Sequence, residues 1–505
     1  MHLRRLLAAL LACFAPSFAA QAEPAFDILE LPSPGRTSAA GFADLDGDGH
    51  TDIYAVSLAG IPPAERRELR IHFQQAGGTL SRTPDWTGAV LDGAAAFDVA
   101  DLPDGPGEEL LLLRRHRVTV LSFAGRSIAR RDLVIPGDPT VATSVDERAL
   151  GHLRLARANL GEELRLLVPG FGECIVLAPG GAILARLDVG HRANYFIPPR
   201  PGPLVRESEI ETFHDFPRMD VGDVDGDGRG DVIATSRHEI RVFRQRADGG
   251  FPERPDPRIT IGLLTEEDQI RGTGTVRVEA RDLDGDRRVD LLITYTTGGF
   301  LAPRSETTFH LNRGGSWDLA HPDQTFTSED GWNAFQLVDV NGDGRVELIE
   351  ARMPLSILEL VEVLLTRAID VDVSVYRPDA GPGANGVFAA KPWLHSKLDI
   401  GFSFDTFEPR GFVPMLKADF NRDGHLDRLG SGDGKALEVY LGGGDRPYRE
   451  RVAHQELDTG GALRFGDLDD DGLTDFLLYD RTRPDTPIRI GRNRGVLPGT
   501  GPRVR

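Results

Sequence analysis

Cysteine is nearly absent from this chain, since only Cys13 and Cys174 occur in its 505 residues. Cys13 lies in a short apolar leader, so removal of that leader would exclude any intrachain disulfide. Cys174 follows the pattern of a buried strand thiol. Aromatic residues make up only 7% of the chain, and the four tryptophans are far apart, which gives little support for an aromatic platform that stacks on sugars.

Positive charge is also in deficit. The chain has 58 Lys and Arg residues against 78 Asp and Glu residues, which gives a formal net charge of −20. This balance predicts no binding to nucleic acid or to an anionic membrane surface. The sequence lacks a His-Glu-x-x-His motif and a Gly-x-Ser-x-Gly motif, so the common catalytic signatures are missing. An acid/base pair among the many carboxylates stays open, because a sequence does not separate such a pair from metal ligands.

The first 22 residues are typical of a signal peptide. A basic start is followed by an apolar stretch over residues 6–15 and by Ala20-Gln21-Ala22, a cleavage site of the small-x-small type. The apolar stretch is too short to span a bilayer, and no other segment predicts a transmembrane span. We therefore expect export to the periplasm or beyond, with a mature chain of residues 23–505. Lipidation at Cys13 is an alternative, although Leu11 is an uncommon residue in a lipobox.

Aspartate and glycine recur together in a nine-residue pattern. In the first copy, Asp44, Asp46, Asp48 and Asp52 occupy positions one, three, five and nine, and His50 occupies position seven. Two glycines allow the backbone to bend sharply. Calcium binds six to eight oxygen atoms from carboxylates and carbonyls. The loop therefore predicts a calcium site to which His50 contributes its backbone carbonyl.

Five later segments repeat this layout. Asn replaces Asp at position three in two of them, which keeps an oxygen ligand and removes one charge. Arg287 replaces a glycine in another, which predicts weaker binding there. Two eroded copies, near residues 101 and 158, lack the ligands and are assigned no metal. The predicted ligands of the five copies are Asp223, Asp225, Asp227 and Asp231; Asp282, Asp284, Asp286 and Asp290; Asp339, Asn341, Asp343 and Glu347; Asp419, Asn421, Asp423 and Asp427; and Asp467, Asp469, Asp471 and Asp475.

These loops differ from the EF-hand, which needs a glutamate at position twelve and a flanking helix on each side. Only Glu350 would supply that glutamate. Short apolar runs such as residues 53–56 and 476–479 follow the loops, and they predict buried strands instead of helices.

The eight loop starts recur about every 57 residues, with longer gaps at two insertions. Periods of this size are typical of repeat architectures, and about four strands per unit predict the blade of a β-propeller. We expect an all-β propeller of seven or eight blades, with eight favoured. The insertions are a Pro-rich segment at about 191–218 and a segment at about 353–378, in which residues 356–367 predict a short helix and residues 371–376 a strand.

The repeated unit resembles the FG-GAP or VCBS repeat, most clearly at Phe465-Gly466-Asp467-Leu468-Asp469-Asp470-Asp471-Gly472. This resemblance implies a propeller with calcium in loops between strands, as in integrin α-subunits and many exported bacterial proteins. It specifies fold and metal more than activity. The sequence favours a non-enzymatic binding module for an unidentified protein or glycan, with structural calcium. The alternative is a lyase-type enzyme that acts on polysaccharides.

Overall fold

The computed structural model describes residues 24–140, 156–157, 165–196, 211–265, 274–298, 303–354, 366–379, 386–403 and 408–501, without 61–65, 76–77, 92, 104, 191, 330, 413–414 and 444–446, together with residues 268 and 363. The predicted signal peptide, and most of the helix predicted over residues 356–367, lie outside these described residues. Their assignments stay predictions.

The described residues are almost entirely β-strands and turns. The first eleven strands are β1 (Phe26–Leu31), β2 (Arg36–Ala43), β3 (Asp52–Ala59), β4 (Arg66–His72), β5 (Gln74–Gln75), β6 (Thr79–Leu80), β7 (Trp86–Ala89), β8 (Ala96–Asp101), β9 (Glu108–Arg114), β10 (Arg117–Ser122) and β11 (Ala129–Val134). The next ten are β12 (Ala156–Arg157), β13 (Leu166–Pro169), β14 (Cys174–Leu177), β15 (Ile183–Leu187), β16 (Arg192–Phe196), β17 (Glu211–Asp215), β18 (Arg218–Gly222), β19 (Asp231–Thr235), β20 (Glu239–Phe243) and β21 (Arg258–Thr260).

The remaining strands are β22 (Thr275–Arg281), β23 (Asp290–Thr297), β24 (Arg304–His310), β25 (Gln324–Glu329), β26 (Gly331–Val338), β27 (Glu347–Pro354), β28 (Ala368–Tyr376), β29 (Leu394–Ser403), β30 (Glu408–Pro409), β31 (Met415–Ala418), β32 (Asp427–Gly430), β33 (Ala436–Tyr440), β34 (Arg451–Glu456), β35 (Ala462–Gly466), β36 (Asp475–Tyr479) and β37 (Ile488–Asn493). Two 3-10 turns are described, at Ala124–Arg126 and Gly432–Gly434.

These strands form an eight-bladed propeller, which confirms the favoured blade count. The blades, from first to eighth, are β2-β3-β4-β7, β8-β9-β10-β11, β13-β14-β15, β18-β19-β20-β21, β22-β23-β24-β25, β26-β27-β28-β29-β30, β31-β32-β33-β34 and β35-β36-β37-β1. Two short hairpins, β5-β6 and β16-β17, lie beside the blades, and β12 adds to β8 in parallel. The predicted strand over residues 371–376 is part of β28.

The first strand of the chain closes the ring. β1 pairs with β37 in antiparallel register from Phe26 opposite Asn493 to Leu31 opposite Ile488. The ring of Phe26 packs edge-on against Phe420 and Phe476, with centroids 5.5 and 5.0 Å apart. Because the two ends of the chain share one blade, the ring is sealed by both hydrogen bonds and apolar contact.

The hydrophobic core consists of clusters between neighbouring blades. One cluster joins Leu69 and Ile71 of the first blade to Phe97 and Leu112 of the second. The strand after each loop is buried on both faces, as β3 shows with seven buried residues out of eight. A single blade therefore buries little by itself, which explains why the sequence needs the whole set of repeats.

The antiparallel order of each blade decides where its connections lie. Connections from the first to the second strand, and from the third to the fourth, lie at one end of the propeller. Connections from the second to the third strand, and from one blade to the next, lie at the other end. We call these the loop end and the opposite end. The Asp-rich segments all join first and second strands, so they share the loop end.

Candidate metal centres and their surroundings

The aspartate at position one organises each loop by accepting backbone hydrogen bonds. In the fourth blade, Asp223 Oδ1 accepts from Gly226 N at 2.6 Å, and Oδ2 accepts from Gly228 N at 2.7 Å. Both glycines have positive φ, 81° and 84°, which glycine adopts without steric cost. The alternating Asp-Gly pattern therefore specifies the backbone of the loop as well as its charge.

Some loops reach the same backbone without glycine. Arg287 adopts φ 71° where the other copies have glycine, and its N–H still donates to Asp282 Oδ2 at 2.9 Å. Arg422 and Asp470 adopt φ 56° and 58° at position four. The left-handed conformation costs a residue with a side chain about 1–2 kcal/mol, so these loops carry strain.

The carboxylate at position nine is buried and anchors its loop to the blade. Asp475 is fully buried, and it accepts from Leu468 N at 2.8 Å and from Asn493 N at 2.7 Å. The first bond closes the loop, and the second holds the end of the third strand. The equivalent carboxylates at the start of each second strand are Asp52, Asp231, Asp290, Glu347 and Asp427, all buried and all accepting from the N–H of position two.

Burial changes the acidity of these anchors. It raises the pKa of Asp52, Asp290, Asp427 and Asp475 to about 7, against the opposing effect of their two backbone hydrogen bonds. Neighbouring loop carboxylates raise it further, as Asp469 and Asp467 do for Asp475. A cation in the loop would favour the ionised form instead.

Carboxylate oxygens converge in four of the six loops. Within each group the oxygens lie within 4.8 Å of one another, and the groups are Asp44, Asp46 and Asp48; Asp223, Asp225 and Asp231; Asp282, Asp284 and Asp290; and Asp467, Asp469 and Asp475. The other predicted carboxylates of these loops, Asp52, Asp227, Asp286 and Asp471, lie outside the groups.

Several loop oxygens fit a metal because nothing else satisfies them. Asp46 Oδ1, Asn421 Oδ1 and Asp467 Oδ1 are buried and have no hydrogen-bond partner among the described residues. A buried carboxylate or amide oxygen without a partner is costly, and a hard cation is the partner that such oxygens accept best. The donor set is thus compatible with calcium.

Comparison with known protein families agrees with this geometry. Residues 223–293 and 282–349 match the family profile described as the FG-GAP-like repeat. The chain carries FG-GAP-like repeats. No curated protein matches the chain.

Three of the solved structures similar to the chain are a lectin, a propeller and a biofilm matrix protein by their descriptions. An Agrocybe aegerita lectin described as recognising non-reducing terminal N-acetylglucosamine has 14% identity and a TM-score of 0.35, over 93% of this chain and 86% of that chain. The Dos1 propeller has 10% identity and a TM-score of 0.34, over 93% and 95%. The V. cholerae biofilm matrix protein Bap1 has 12% identity and a TM-score of 0.29, over 94% and 82%. At these values none of them bears on activity.

The FG-GAP-like loops with Asn at position three use the amide as a local clamp. Asn341 Nδ2 donates to Asp343 Oδ2 at 3.1 Å and to Glu347 Oε1 at 3.0 Å. Asn421 Nδ2 donates to Asp423 Oδ2 and to Pro498 O, both at 3.1 Å. The chain after β37 therefore packs on the loop of the seventh blade and leaves the buried Asn421 Oδ1 for another partner.

The first loop has a cationic neighbour that the sequence did not reveal. Arg126, in the second blade, donates from Nε to Asp46 Oδ2 at 2.9 Å and from Nη2 to Gln74 O at 2.9 Å. His50 Nδ1 pairs with Asp470 Oδ2 of the eighth blade at 2.8 Å. The backbone carbonyl of His50 as a calcium ligand stays a prediction.

The eroded repeat of the second blade keeps the carboxylate that anchors the loop to the blade but not the predicted metal ligands. Glu109 is buried and accepts from Leu102 N at 3.0 Å, as the position-nine carboxylates do. Glu108 accepts from Asp44 N at 2.9 Å and so links this repeat to the first loop. The copy predicted near 158 lies outside the described residues.

The sequence reading also missed a set of amide side chains that join neighbouring repeats. Asn312 Nδ2 donates to Val224 O of the fourth blade at 2.8 Å and to Val289 O of its own loop at 3.1 Å. Gln74 Nε2 donates to Leu468 O and Thr51 O in the same way. The only feature of the sequence that marks these amide residues is their position, after an alternating strand and before a turn.

Cys174 is fully buried in β14, as predicted, and burial raises the pKa of its thiol to about 12. Within the part of the chain that the structure describes, no helix has the length and apolar character needed to cross a membrane.

Proposed function

We propose that this chain is an exported, calcium-binding β-propeller that acts as a binding module for a protein or a glycan, with calcium as a structural staple. The observation that carries the calcium proposal is the last loop. There Asp467, Asp469 and Asp475 bring carboxylate oxygens within 4.8 Å of one another, and the buried Asp467 Oδ1 has no hydrogen-bond partner within the described residues.

The staple is inferred from what each loop holds together. The carboxylate at position nine fixes the second and third strands of the blade. In three of the loops, the carbonyl at position two also accepts a hydrogen bond from a side-chain amide of the neighbouring blade. When bound, calcium would neutralise the repulsion among these carboxylates and fill their unsatisfied oxygens. The proposed calcium ligands are those predicted from the sequence in the six loops at residues 44–52, 223–231, 282–290, 339–347, 419–427 and 467–475.

Export is proposed from the predicted signal peptide over residues 1–22. A single buried thiol in the mature chain is compatible with an oxidising compartment, because no pairing of cysteines is needed. Loops that bind calcium would then supply the local cross-links that disulfides give to other exported proteins.

A test of the staple uses protein freed of metal and then titrated with calcium. We expect bound calcium by mass spectrometry of the native protein and a clear rise in melting temperature, because a ligand of the folded state stabilises it by mass action. Asp467→Ala should lose one calcium. Asp101→Ala, an exposed aspartate at position one of the eroded repeat, is the matched control and should lose none.

The binding role is tested with the calcium-loaded protein on arrays of acidic and neutral polysaccharides and by capture of partners from an envelope fraction. Retention without change of the glycan supports a binding module. Growth of ultraviolet absorbance from unsaturated uronate would instead indicate a lyase.

A melting temperature that does not respond to calcium in verified metal-free protein would exclude the structural staple.

A further inference from the structure

The opposite end of the propeller carries a small cleft with an unusual excess of arginine. It has a volume of about 360 Å³ and lies among the third, fourth and fifth blades. Glu239 is the one carboxylate in its lining, beside His238 and five arginines: Arg218, Arg237, Arg241, Arg258 and Arg277. No calcium loop contributes to this cleft, so it is separate from the metal centres.

Two of these guanidinium groups are fixed by Glu239. Arg241 donates from Nε to Glu239 Oε1 at 2.9 Å, and Arg258 donates from Nε to Glu239 Oε2 at 2.6 Å. Arg241 is nearly buried and also donates to Asp188 O and Oδ1, at 2.8 and 2.7 Å. Gly190 packs so close that a Cβ there would lie 2.7 Å from Arg241 Nη2. These hydrogen bonds and this close packing therefore hold the wall of the cleft in place.

Glu279 pairs with Arg277 on the facing wall and lies near Arg218, which hydrogen-bonds Asp220 at 3.0 Å. Arg277 Nη2 lies 2.9 Å from Glu279 Oε1, and Arg218 Nη1 lies 3.8 Å from it. The side chains of Arg258 and Arg277 remain 61% and 69% exposed. Each uses one nitrogen for its glutamate, so each is oriented and still presents other N–H groups to a ligand. Guanidinium groups held in this way suit planar, two-point binding of an oxyanion.

The local charge favours an anion despite the acidity of the whole chain. Behind the lining, Asp188, Asp220 and Glu279 contact Arg241, Arg218 and Arg277, so within the described residues these ion pairs of the cleft involve four carboxylates, Glu239 included. The larger cleft among the sixth, seventh and eighth blades, of about 1070 Å³, has four cationic and four carboxylate side chains in its lining. By lining alone, the arginine cleft holds five arginines and one carboxylate and is positive, whereas the lining of the larger cleft is balanced.

Hydroxyl groups complete the lining. Thr235 is 4% exposed, and its Oγ1 has no hydrogen-bond partner among the described residues. Ser236 lies beside it. Because this oxygen is itself enclosed, a ligand hydroxyl would reach it only after a rotation of the Thr235 side chain.

The hairpin β16-β17 begins at the rim of the cleft. Gly190 and Phe216, which line the cleft, flank the hairpin in the chain. Inserted segments on a rigid scaffold are frequent carriers of binding residues. The described ends of the Pro-rich insertion predicted over residues 191–218 therefore border the arginine cleft.

We propose that the arginine cleft binds an acidic sugar unit, a single ring that carries a carboxylate or a sulfate ester. The volume of the cleft fits a ligand of that size, the exposed guanidinium groups of Arg258 and Arg277 fit its anionic group, and a rotated Thr235 side chain would meet its hydroxyl groups. This inference rests on the proposed role as a binding module and names the ligand class and the site.

The test measures binding by isothermal titration calorimetry to the calcium-loaded full mature chain. The probes are glucuronate and galacturonate oligosaccharides, a sulfated disaccharide, a neutral oligosaccharide of equal length, inorganic sulfate and a poly-glutamate peptide. The variants are Arg258→Gln and Arg277→Gln. The matched control is Arg304→Gln, because Arg304 is also 69% exposed in the fifth blade and pairs with Glu329 at 2.8 Å, away from the cleft.

We expect the acidic saccharides to bind, with affinity that falls as salt increases, and the neutral one to bind at least tenfold more weakly. Each cleft variant should lose about tenfold in affinity, the effect of removing a charge-assisted contact, while Arg304→Gln keeps it. Equal binding of the neutral saccharide, stronger binding of poly-glutamate, binding of sulfate only, or no binding of any probe would overturn the proposal.

The outcomes also separate this proposal from the proposed function. If acidic glycans bind and the cleft variants bind them normally, the binding module stands and the arginine cleft is not its site. If none of the saccharides binds but a protein partner is captured from the envelope fraction, the glycan class fails and the binding module stands. A melting temperature unchanged in the variants shows that loss of binding does not come from loss of the fold.

Discussion

The side-chain amide of Asn493 donates to the carbonyl oxygen of Phe420 across the boundary between the eighth and seventh blades, at 2.7 Å. The same amide donates to Thr474 O of its own loop at 3.2 Å, and the backbone N–H of Asn493 donates to Asp475 at 2.7 Å. One residue thus connects its own metal loop to the loop of the neighbouring blade. Asn312 and Gln74 do the same elsewhere in the ring.

Removal of one such amide should weaken the ring. Asn493→Ala leaves the buried carbonyl of Phe420 and the half-buried carbonyl of Thr474 without this donor, and we expect a loss of about 1–3 kcal/mol in the free energy of unfolding. Urea denaturation of calcium-loaded protein measures it. Gln336→Ala, an exposed amide in β26, serves as control and should change stability by less than about 0.5 kcal/mol. Equal effects of the two substitutions would contradict the link between blades.

The sequence predicted the repeat and its loops but not these links. The Asp-x-Asp-x-Asp-Gly pattern is local, so nine residues are enough to recognise it. The spacing at which it recurs predicts the number of blades. The amide links join residues far apart in the chain, 73 positions for Asn493 and Phe420 and 394 for Gln74 and Leu468. Their partners are backbone carbonyls, which have no signature in a sequence. The arginine cleft was hidden for a related reason, because its arginines come from separate strands and turns of the fourth blade and, for Arg277, from the fifth blade.

Arg287→Gly should stabilise the fifth blade. Arg287 has φ 71° at the place where most copies have glycine, and its backbone N–H bond to Asp282 survives the change. Relief of the left-handed strain is worth about 1–2 kcal/mol, and the greater freedom of glycine in the unfolded chain takes back about half of that. Thermal unfolding measures the net gain. Arg254→Gly, at an exposed position without positive φ, should lower stability slightly, and the reverse order would refute the strain argument.

The metal-free protein should lose stability as pH rises. Burial holds the pKa of Asp52, Asp290, Asp427 and Asp475 near 7, above the ordinary aspartate value of 3.8. The folded state therefore binds more protons than the unfolded state between these values. The resulting stability is complete below pH 3.8 and is lost as pH rises through about 7.

Denaturant unfolding at pH 5.5 and pH 8 measures this effect in protein prepared with chelating resin. We expect the metal-free chain to be less stable at pH 8 than at pH 5.5, because these four carboxylates are ionised at the higher pH. Saturating calcium should remove or reverse the difference, because binding competes with protons for the same loops. A metal-free chain that gains stability from pH 5.5 to pH 8 would contradict the raised pKa values.

Arg126→Ala should strengthen calcium binding at the first loop. The guanidinium of Arg126 donates to Asp46 Oδ2 at 2.9 Å and lies 3.9 Å from Asp48 Oδ2, so it competes with a cation for the same oxygens. Without it, the charge repulsion among Asp44, Asp46 and Asp48 rises in the metal-free loop and the gain on binding is larger. Calcium titration of the variant should show tighter binding at one site, and weaker binding there would mean that Arg126 positions the ligands.

Cys174 should be inert in the folded protein. Its thiol is fully buried in β14, and burial raises its pKa to about 12, so almost no reactive thiolate is present at neutral pH. In the chain from residue 23 onward, we expect no reaction with a thiol reagent such as DTNB under native conditions and one thiol per chain in denaturant. Because Cys174 packs between the third and fourth blades with Leu187 and Val232, rapid labelling without denaturant would reveal that these blades separate in the native state.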